Sequence, residues 1–258
     1  MAKTMDNARA RSTAHSEMDQ YLAPGAWTLR QKLALGCRIL AADGQESNLA
    51  GQVTARGDKD GQYLMLEYGL GLQDITASNV HLVDEDLRVL NGAAMVNPAN
   101  RFHLWIYRAR PDVMAAVHTH APYASALSMI GEPLIASHMD TVALYDDCAY
   151  LPTWPGVPVG DEEGEIISAA LGKKRGALLA HHGLLATGRT IEEAVVIACT
   201  IERAARLQLL ARAAGEIREL DPNLAREAHD YRSYPKMIEA SFTALARRIA
   251  KAQPDVLN

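Results

Sequence analysis

Two short apolar runs that each end in histidine constrain this 258-residue chain more than any other feature. Val113 to Val117 leads into His118-Thr119-His120, and Ala177 to Ala180 leads into His181-His182-Gly183. Apolar runs of that length read as strands. Side chains of a strand alternate faces, so His118 and His120 point the same way, roughly 6 to 7 Å apart by strand rise, and Thr119 points away. Adjacent residues diverge, so one of the pair His181 and His182 can join a site shared by His118 and His120. Gly183 has the backbone freedom to bring the chain close to a ligand. Three imidazoles with an open fourth position form the donor set of a catalytic zinc site. A fold that uses them must set two strand ends, distant in sequence, side by side.

Around these motifs the periodicity predicts both helices and strands. Thr28 opens a helix with Leu29, Leu33, Ile39 and Leu40 on one side, closing near Asp43-Gly44. Residues 52–56 and 63–67 read as strands joined by a turn from Gly57 to Gly61. Residues 99–110 read as a helix ended by Pro111, and Pro122 begins a short one. Asp161 is the expected cap of a helix that runs to Gly172. Thr190-Ile191-Glu192-Glu193 has the form of a capping box and starts the longest helix, which stops at Gly215. A last helix covers Pro235 to Ala252. Residues 1–25 are polar and lack periodicity, and they read as a flexible N-terminal arm. No linker interrupts residues 26–258, so the expected organisation is one α/β domain with a mainly antiparallel or mixed sheet.

Composition removes several functional classes. Hydrophobic residues at 48 % and charged residues at 22 % provide a full core, and a net charge of −5 leaves no basic field for nucleic acid or anionic lipid. The longest apolar run, Ala194 to Ile201, is too short to span a bilayer. Asp6, Arg9, Arg11, Glu17 and Asp19 interrupt any apolar leader. Cys37, Cys148 and Cys199 lie far apart with no C-x-x-C pair, so neither a disulfide framework nor a thiolate zinc site is expected. Tyr68-Gly69-Leu70-Gly71 lacks dinucleotide-binding spacing. The expectation is a cytoplasmic protein with a small-molecule substrate and no nucleic-acid or membrane partner.

Arg101-Phe102-His103, Arg110-Pro111-Asp112, Val117-His118-Thr119-His120 and His181-His182-Gly183-Leu184 stand in an order and spacing that resembles the class II aldolase/adducin superfamily, over about residues 28 to 215. The resemblance implies a three-layer α/β/α sandwich around a mainly antiparallel central sheet. It also implies a homotetramer with active sites at subunit interfaces. The implied cofactor is a divalent metal, zinc first, with Mn2+, Co2+ or Mg2+ as alternatives. Its ligands would be His118, His120 and His182, with His181 supporting them. In such enzymes the metal stabilises the enediolate that forms when a carbon–carbon bond breaks.

Two departures from the superfamily pattern shape the expected reaction. Its sugar-phosphate aldolases place an acid/base glutamate four residues before the histidine of Arg-Phe-His, where this chain has Ala99. Their phosphate loops carry small hydroxyl residues. The matching segments here, Leu49-Ala50-Gly51-Gln52, Tyr68-Gly69 and Asn97-Pro98, keep Gly51 and Gly69 and lose most hydroxyls. Asn100, His103, Gly51 and Gly69 are the expected substrate-binding residues. For proton transfer, Asp140 matches an acid/base of the epimerase members, and Tyr231 or Tyr234 falls where members place a tyrosine from a neighbouring chain. His229 is a weaker candidate. The resulting expectation is a metal-dependent carbon–carbon lyase. It would perform retro-aldol cleavage or decarboxylation of a small unphosphorylated hydroxy-carbonyl compound or hydroxy acid through a metal-stabilised enolate. The alternatives are an epimerase or dehydratase using the same intermediate, or a non-catalytic adducin-like binding module.

Overall fold

The computed structural model describes residues 2–157 and 159–258. In chain order the elements are α1 (Ala2–Tyr21), α2 (Leu29–Ala42), β1 (Gln52–Arg56), β2 (Tyr63–Leu66), β3 (Val80–Val83), α3 (Arg101–Ala109), β4 (Ala115–Thr119) and α4 (Pro122–Met129). They continue with β5 (Cys148–Leu151), α5 (Asp161–Leu171), β6 (Gly176–Leu179), β7 (Gly183–Gly188), α6 (Ile191–Ala214), α7 (Pro222–Arg232) and α8 (Pro235–Ala252).

Local chemistry sets where the helices start. At α2, Thr28 accepts from the Gln31 N–H and the Gln31 side chain accepts from the Thr28 N–H, a complete capping box. At α6, Thr190 Oγ1 accepts from the Glu193 N–H at 3.1 Å, while the Glu193 carboxylate takes the Arg189 N–H at 2.7 Å. The cap expected at Asp161 is corrected: Gly160 is the N-cap of α5 and Asp161 lies in its first turn. There the Asp161 carboxylate accepts from the Trp105 indole N–H at 3.0 Å, so a tertiary partner has displaced the local one.

The seven strands form one sheet in the order β3-β2-β1-β4-β7-β6-β5. Every neighbouring pair is antiparallel except β5 and β6. Strand alternation divides the core in two. Val53, Val117, Leu178, Leu184 and Ala186 pack with residues of α2, α6 and α8. Ala116, Ala177, Leu179 and Leu185 face the other way, against Phe102 and Ile106 of α3 and Ile167 and Leu171 of α5. The result is the expected three-layer α/β/α sandwich. Each fully buried large side chain stabilises it by roughly 1.5–3 kcal/mol.

The arm expected to be flexible over residues 1–25 is instead helical over Ala2–Tyr21. It docks on the C-terminal helices. The His15 ring stacks on Tyr234 at 3.8 Å, the Tyr234 hydroxyl donates to Asp19 at 2.7 Å, and Arg11 pairs with Glu227. The helix has no apolar stripe, which is why periodicity does not reveal it.

Candidate metal centre

β4 and β7 are antiparallel neighbours at the middle of the sheet, with His118 opposite Leu185 and Thr119 opposite Leu184. Antiparallel pairing puts the end of one strand beside the start of the other, so His118 and His120 meet His182. The ligand nitrogens of the three lie within 4.8 Å of one another. Their ring centroids are 4.6 to 5.0 Å apart. His118 continues the face of Ala116, and Phe102 of α3 stands edge-on to its ring at 5.3 Å. Thr119 points to the opposite layer, where its hydroxyl donates to buried Gln45 at 2.8 Å.

The His118 Nδ1 lies 2.8 Å from the Leu184 carbonyl. A carbonyl only accepts, so Nδ1 carries the hydrogen and Nε2 keeps a free lone pair. Burial drives all three rings toward the neutral form. His118 is held well below the ordinary histidine value by desolvation and then by His182 and His120. His120 is lowered by desolvation, and His182 falls to about 4 for the same reason, aided by His120. Neutral imidazole is the form that binds a cation. Three converging nitrogens, one with its tautomer set by the backbone, fit a divalent metal.

The turn that carries His182 corrects one sequence expectation. The left-handed backbone falls on His181, at φ 55°, and Gly183 is needed for space instead. A Cβ on Gly183 would sit 2.4 Å from the Thr119 carbonyl oxygen and 3.3 Å from His120 Cα and Cδ2.

On the other side of His118, β1 presents Gln52 as its register partner. Gly51, at φ 123°, carries the chain into that strand. Gly51, Gln52, Tyr68, Asn97 and Asn100 line one small cleft, and Gly69 lies on an exposed turn beside Tyr68. The side-chain oxygens of Gln52 and Asn100 are buried without a hydrogen-bond partner. His103 is buried as well. Its Nδ1 lies 2.8 Å from Thr54 Oγ1, which lies 2.8 Å from the Tyr107 hydroxyl, and its Nε2 has no partner. Burial pushes His103 down to about 3, so it is a neutral hydrogen-bonding group at working pH. The Ala99 N–H donates to Asn97 Oδ1 at 3.0 Å, and the methyl side chain leaves that position without an acid or base.

Residues 31–209 match the family described as Class II Aldolase and Adducin N-terminal domain. The chain belongs to this family. The L-fuculose phosphate aldolase of Escherichia coli O6:H1 is 30 % identical over 174 residues, covering 67 % of this chain and 79 % of that protein. Decarboxylase NovR of Streptomyces niveus is 31 % identical over 154 residues, covering 59 % of this chain and 57 % of that protein. Among solved structures, the L-fuculose 1-phosphate aldolase from Glaciozyma antarctica PI12 superposes with a TM-score of 0.80 at 31 % identity, covering 89 % of this chain and 91 % of that one.

The remaining candidates of this class II aldolase domain lie in other settings. Asp140 is half-exposed and accepts from Arg203 of α6 at 2.5 and 3.1 Å, which holds its carboxyl below the usual range. Tyr234 is engaged by Asp19, and Tyr231 stacks with His15 at 5.4 Å. Among the described residues, none of the three hydrogen-bonds to the histidine cluster. His229 sits between Asp147 and Asp230. It lines a cleft of about 1180 Å3 with Met114, Arg175, Gly188 and Glu193, at the opposite ends of β4 and β7 from the histidines. Arg175 there pairs with both Asp147 and Glu193. Apart from His229, none of the expected metal, catalytic or substrate residues lines it among the described residues. Thr54 and Tyr107 carry no sequence signal of their own; β1 brings Thr54 and α3 brings Tyr107 to His103.

Proposed function

We propose that this chain is a metal-dependent carbon–carbon lyase acting on a small unphosphorylated hydroxy acid or hydroxy-carbonyl compound. The observation that carries the reading is the cluster of His118, His120 and His182, neutral and converging in the middle of the sheet. A divalent cation held there would supply fixed positive charge where negative charge develops as the bond breaks. Zinc is the ion assigned, because an all-imidazole donor set suits it and magnesium prefers oxygen ligands.

The chain's own residues favour decarboxylation over aldol cleavage. Retro-aldol chemistry needs a base to take a hydroxyl proton, and Ala99 offers none. Loss of CO2 needs no such step. Gln52 and Asn100 offer amide groups, and His103 a neutral ring nitrogen, for a polar uncharged substrate group. Among the described residues, no lysine or arginine lines that cleft to balance a phosphate. The likeness to a decarboxylase supports this choice. We further assign a cytoplasmic homotetramer in which Asp140, Tyr231 or Tyr234 reaches a neighbour's metal centre for proton transfer.

The test is metal analysis of the purified protein followed by a screen of hydroxy-aromatic acids and β-hydroxy-keto acids, read by CO2 and aldehyde release. Stoichiometric metal and CO2 release are expected. Efficient cleavage of a ketose phosphate, or absence of bound metal after purification with zinc, overturns the reading.

A further inference from the structure

The two halves of the histidine cluster come from different strand ends, and α4 is the element that ties them together. It begins two residues after His120, directly following β4. Its N-cap is Ala121, which has no side-chain acceptor for the free amides of the first turn. Pro122 has no N–H, and the Ser125 N–H reaches the Ala121 carbonyl at 2.8 Å. The two amides left over belong to Tyr123 and Ala124. Both donate to one carboxylate from another helix, Glu202 of α6, at 3.0 and 2.8 Å.

The far side of α4 holds the other half of the cluster. The Ser125 hydroxyl donates to the His182 carbonyl at 3.3 Å, and the His181 N–H donates to the Ser128 carbonyl at 3.4 Å. Among the described residues, these are the hydrogen bonds that reach His181 and His182 from outside the β6–β7 turn. The turn needs such support, because His181 is held at φ 55°, a left-handed conformation that a non-glycine residue keeps only when its surroundings hold it there. Glu202 is itself 6 % exposed; burial raises its carboxyl and the Tyr123 and Ala124 amides pull it back down, so an acidic side chain has been withdrawn from water to cap a helix of eight residues. A buried polar group is kept where it is hydrogen-bonded, and here the two partners are the first-turn amides of α4.

We infer that Glu202 is a positioning residue for the metal centre: through α4 it sets His182 against His118 and His120. The inference rests on the metal reading of the cluster. It predicts a change in the geometry of the site, beyond a loss of fold stability. Glu202→Ala leaves two buried amides without acceptors, and Glu202→Gln presents an NH2 to one of them. Ser125→Ala removes the link from α4 to His182 without touching Glu202.

The experiment titrates metal-free protein with Co2+ alone, against a competing chelator, and records the visible ligand-field spectrum. Unfolding by denaturant is measured on the same samples. Leu40→Ala on α2, fully buried and not part of the site, serves as a cavity control matched in stability. Glu202→Ala, Glu202→Gln and Ser125→Ala are expected to bind Co2+ roughly 10- to 100-fold more weakly with an altered spectrum, the usual effect of removing a group that orients a ligand. Leu40→Ala is expected to lose stability and keep the wild-type affinity and spectrum. Wild-type affinity and spectrum in the Ser125 and Glu202 variants overturn the inference, as does an equal loss in Leu40→Ala. Should Glu202→Ala fail to fold, the Ser125→Ala result decides. A wild-type protein that does not bind Co2+ removes the metal reading itself, and the inference with it, and is distinguishable from the other outcomes.

Discussion

At the scale of single residues, the cluster separates groups that bind from groups that shape. His118→Ala, His120→Ala and His182→Ala each remove one of three donors and are expected to abolish tight metal binding while the circular dichroism spectrum persists. Stoichiometric zinc in the His182 variant would overturn its assignment. Gly183→Ala acts differently, by driving a methyl group against the Thr119 carbonyl. It is expected to cost about 1–3 kcal/mol in denaturant unfolding, as overpacking does, and to weaken metal binding by displacing His120. Ala99→Glu tests the chemistry, and we expect it not to create activity with dihydroxyacetone phosphate as aldol donor, read by condensation with an aldehyde, since the hydroxyl-poor cleft stays as it was. The H-x-H pair was legible in sequence because a strand has a period of two. The strain at His181 was not, because a glycine next door offered itself as the residue with unusual angles and nothing local showed that it was needed for clearance.

Elements with an apolar stripe were legible, and elements held by polar docking were not. The boundaries of α2 and α8 follow from Thr28 and Pro235, each backed by a run of buried residues. α7 was invisible, since a single residue of it, Ala225, is buried. Its hold on the body comes from charge. Arg175 donates to Ser233 Oγ at 2.8 Å just past α7 and pairs with Asp147, and His229 lies 3.7 Å from the same carboxylate. His229 is raised by its bond to Asp147, against desolvation and with help from Asp230. Burial raises Asp147, but His229 and Arg175 outweigh it and leave it lowered. A raised histidine stabilises fully below its unfolded value, near 6.5, and loses that contribution as pH rises through the folded one; a lowered aspartate loses its contribution on acidification. α7 is therefore expected to dock most firmly in mildly acidic solution and to loosen above neutrality. Hydrogen exchange of α7 amides at pH 6 and pH 8, corrected for intrinsic rates, checks this. The difference should vanish in His229→Ala, and its persistence there would exclude the pair as the cause.

At the scale of the whole molecule, the mixture of helical and alternating segments pointed to one α/β domain, the three-layer order was implied by the family resemblance, and the order of the strands followed from neither. Nothing local says that β4 pairs with β7, since residues 120–182 separate them and β5 joins the edge in parallel. We expect a tetramer by light scattering, and a monomer at micromolar concentration would count against delivery of Asp140, Tyr231 or Tyr234 from a neighbour. The central position of β4 and β7 has a further consequence. Three strands lie on one side of this pair and two on the other, so fraying from either edge must peel through other strands before it reaches His118, which lies within β4, while His120 and His182 sit just past the strand ends. Amides of central strands exchange only through the highest-energy openings of a protein. His118, the donor inside β4, should accordingly release a captured ion on the timescale of those rare openings, whatever its two half-buried neighbours do. Stripping by chelator would then be slow at any excess and would quicken only when the slowest-exchanging amides do.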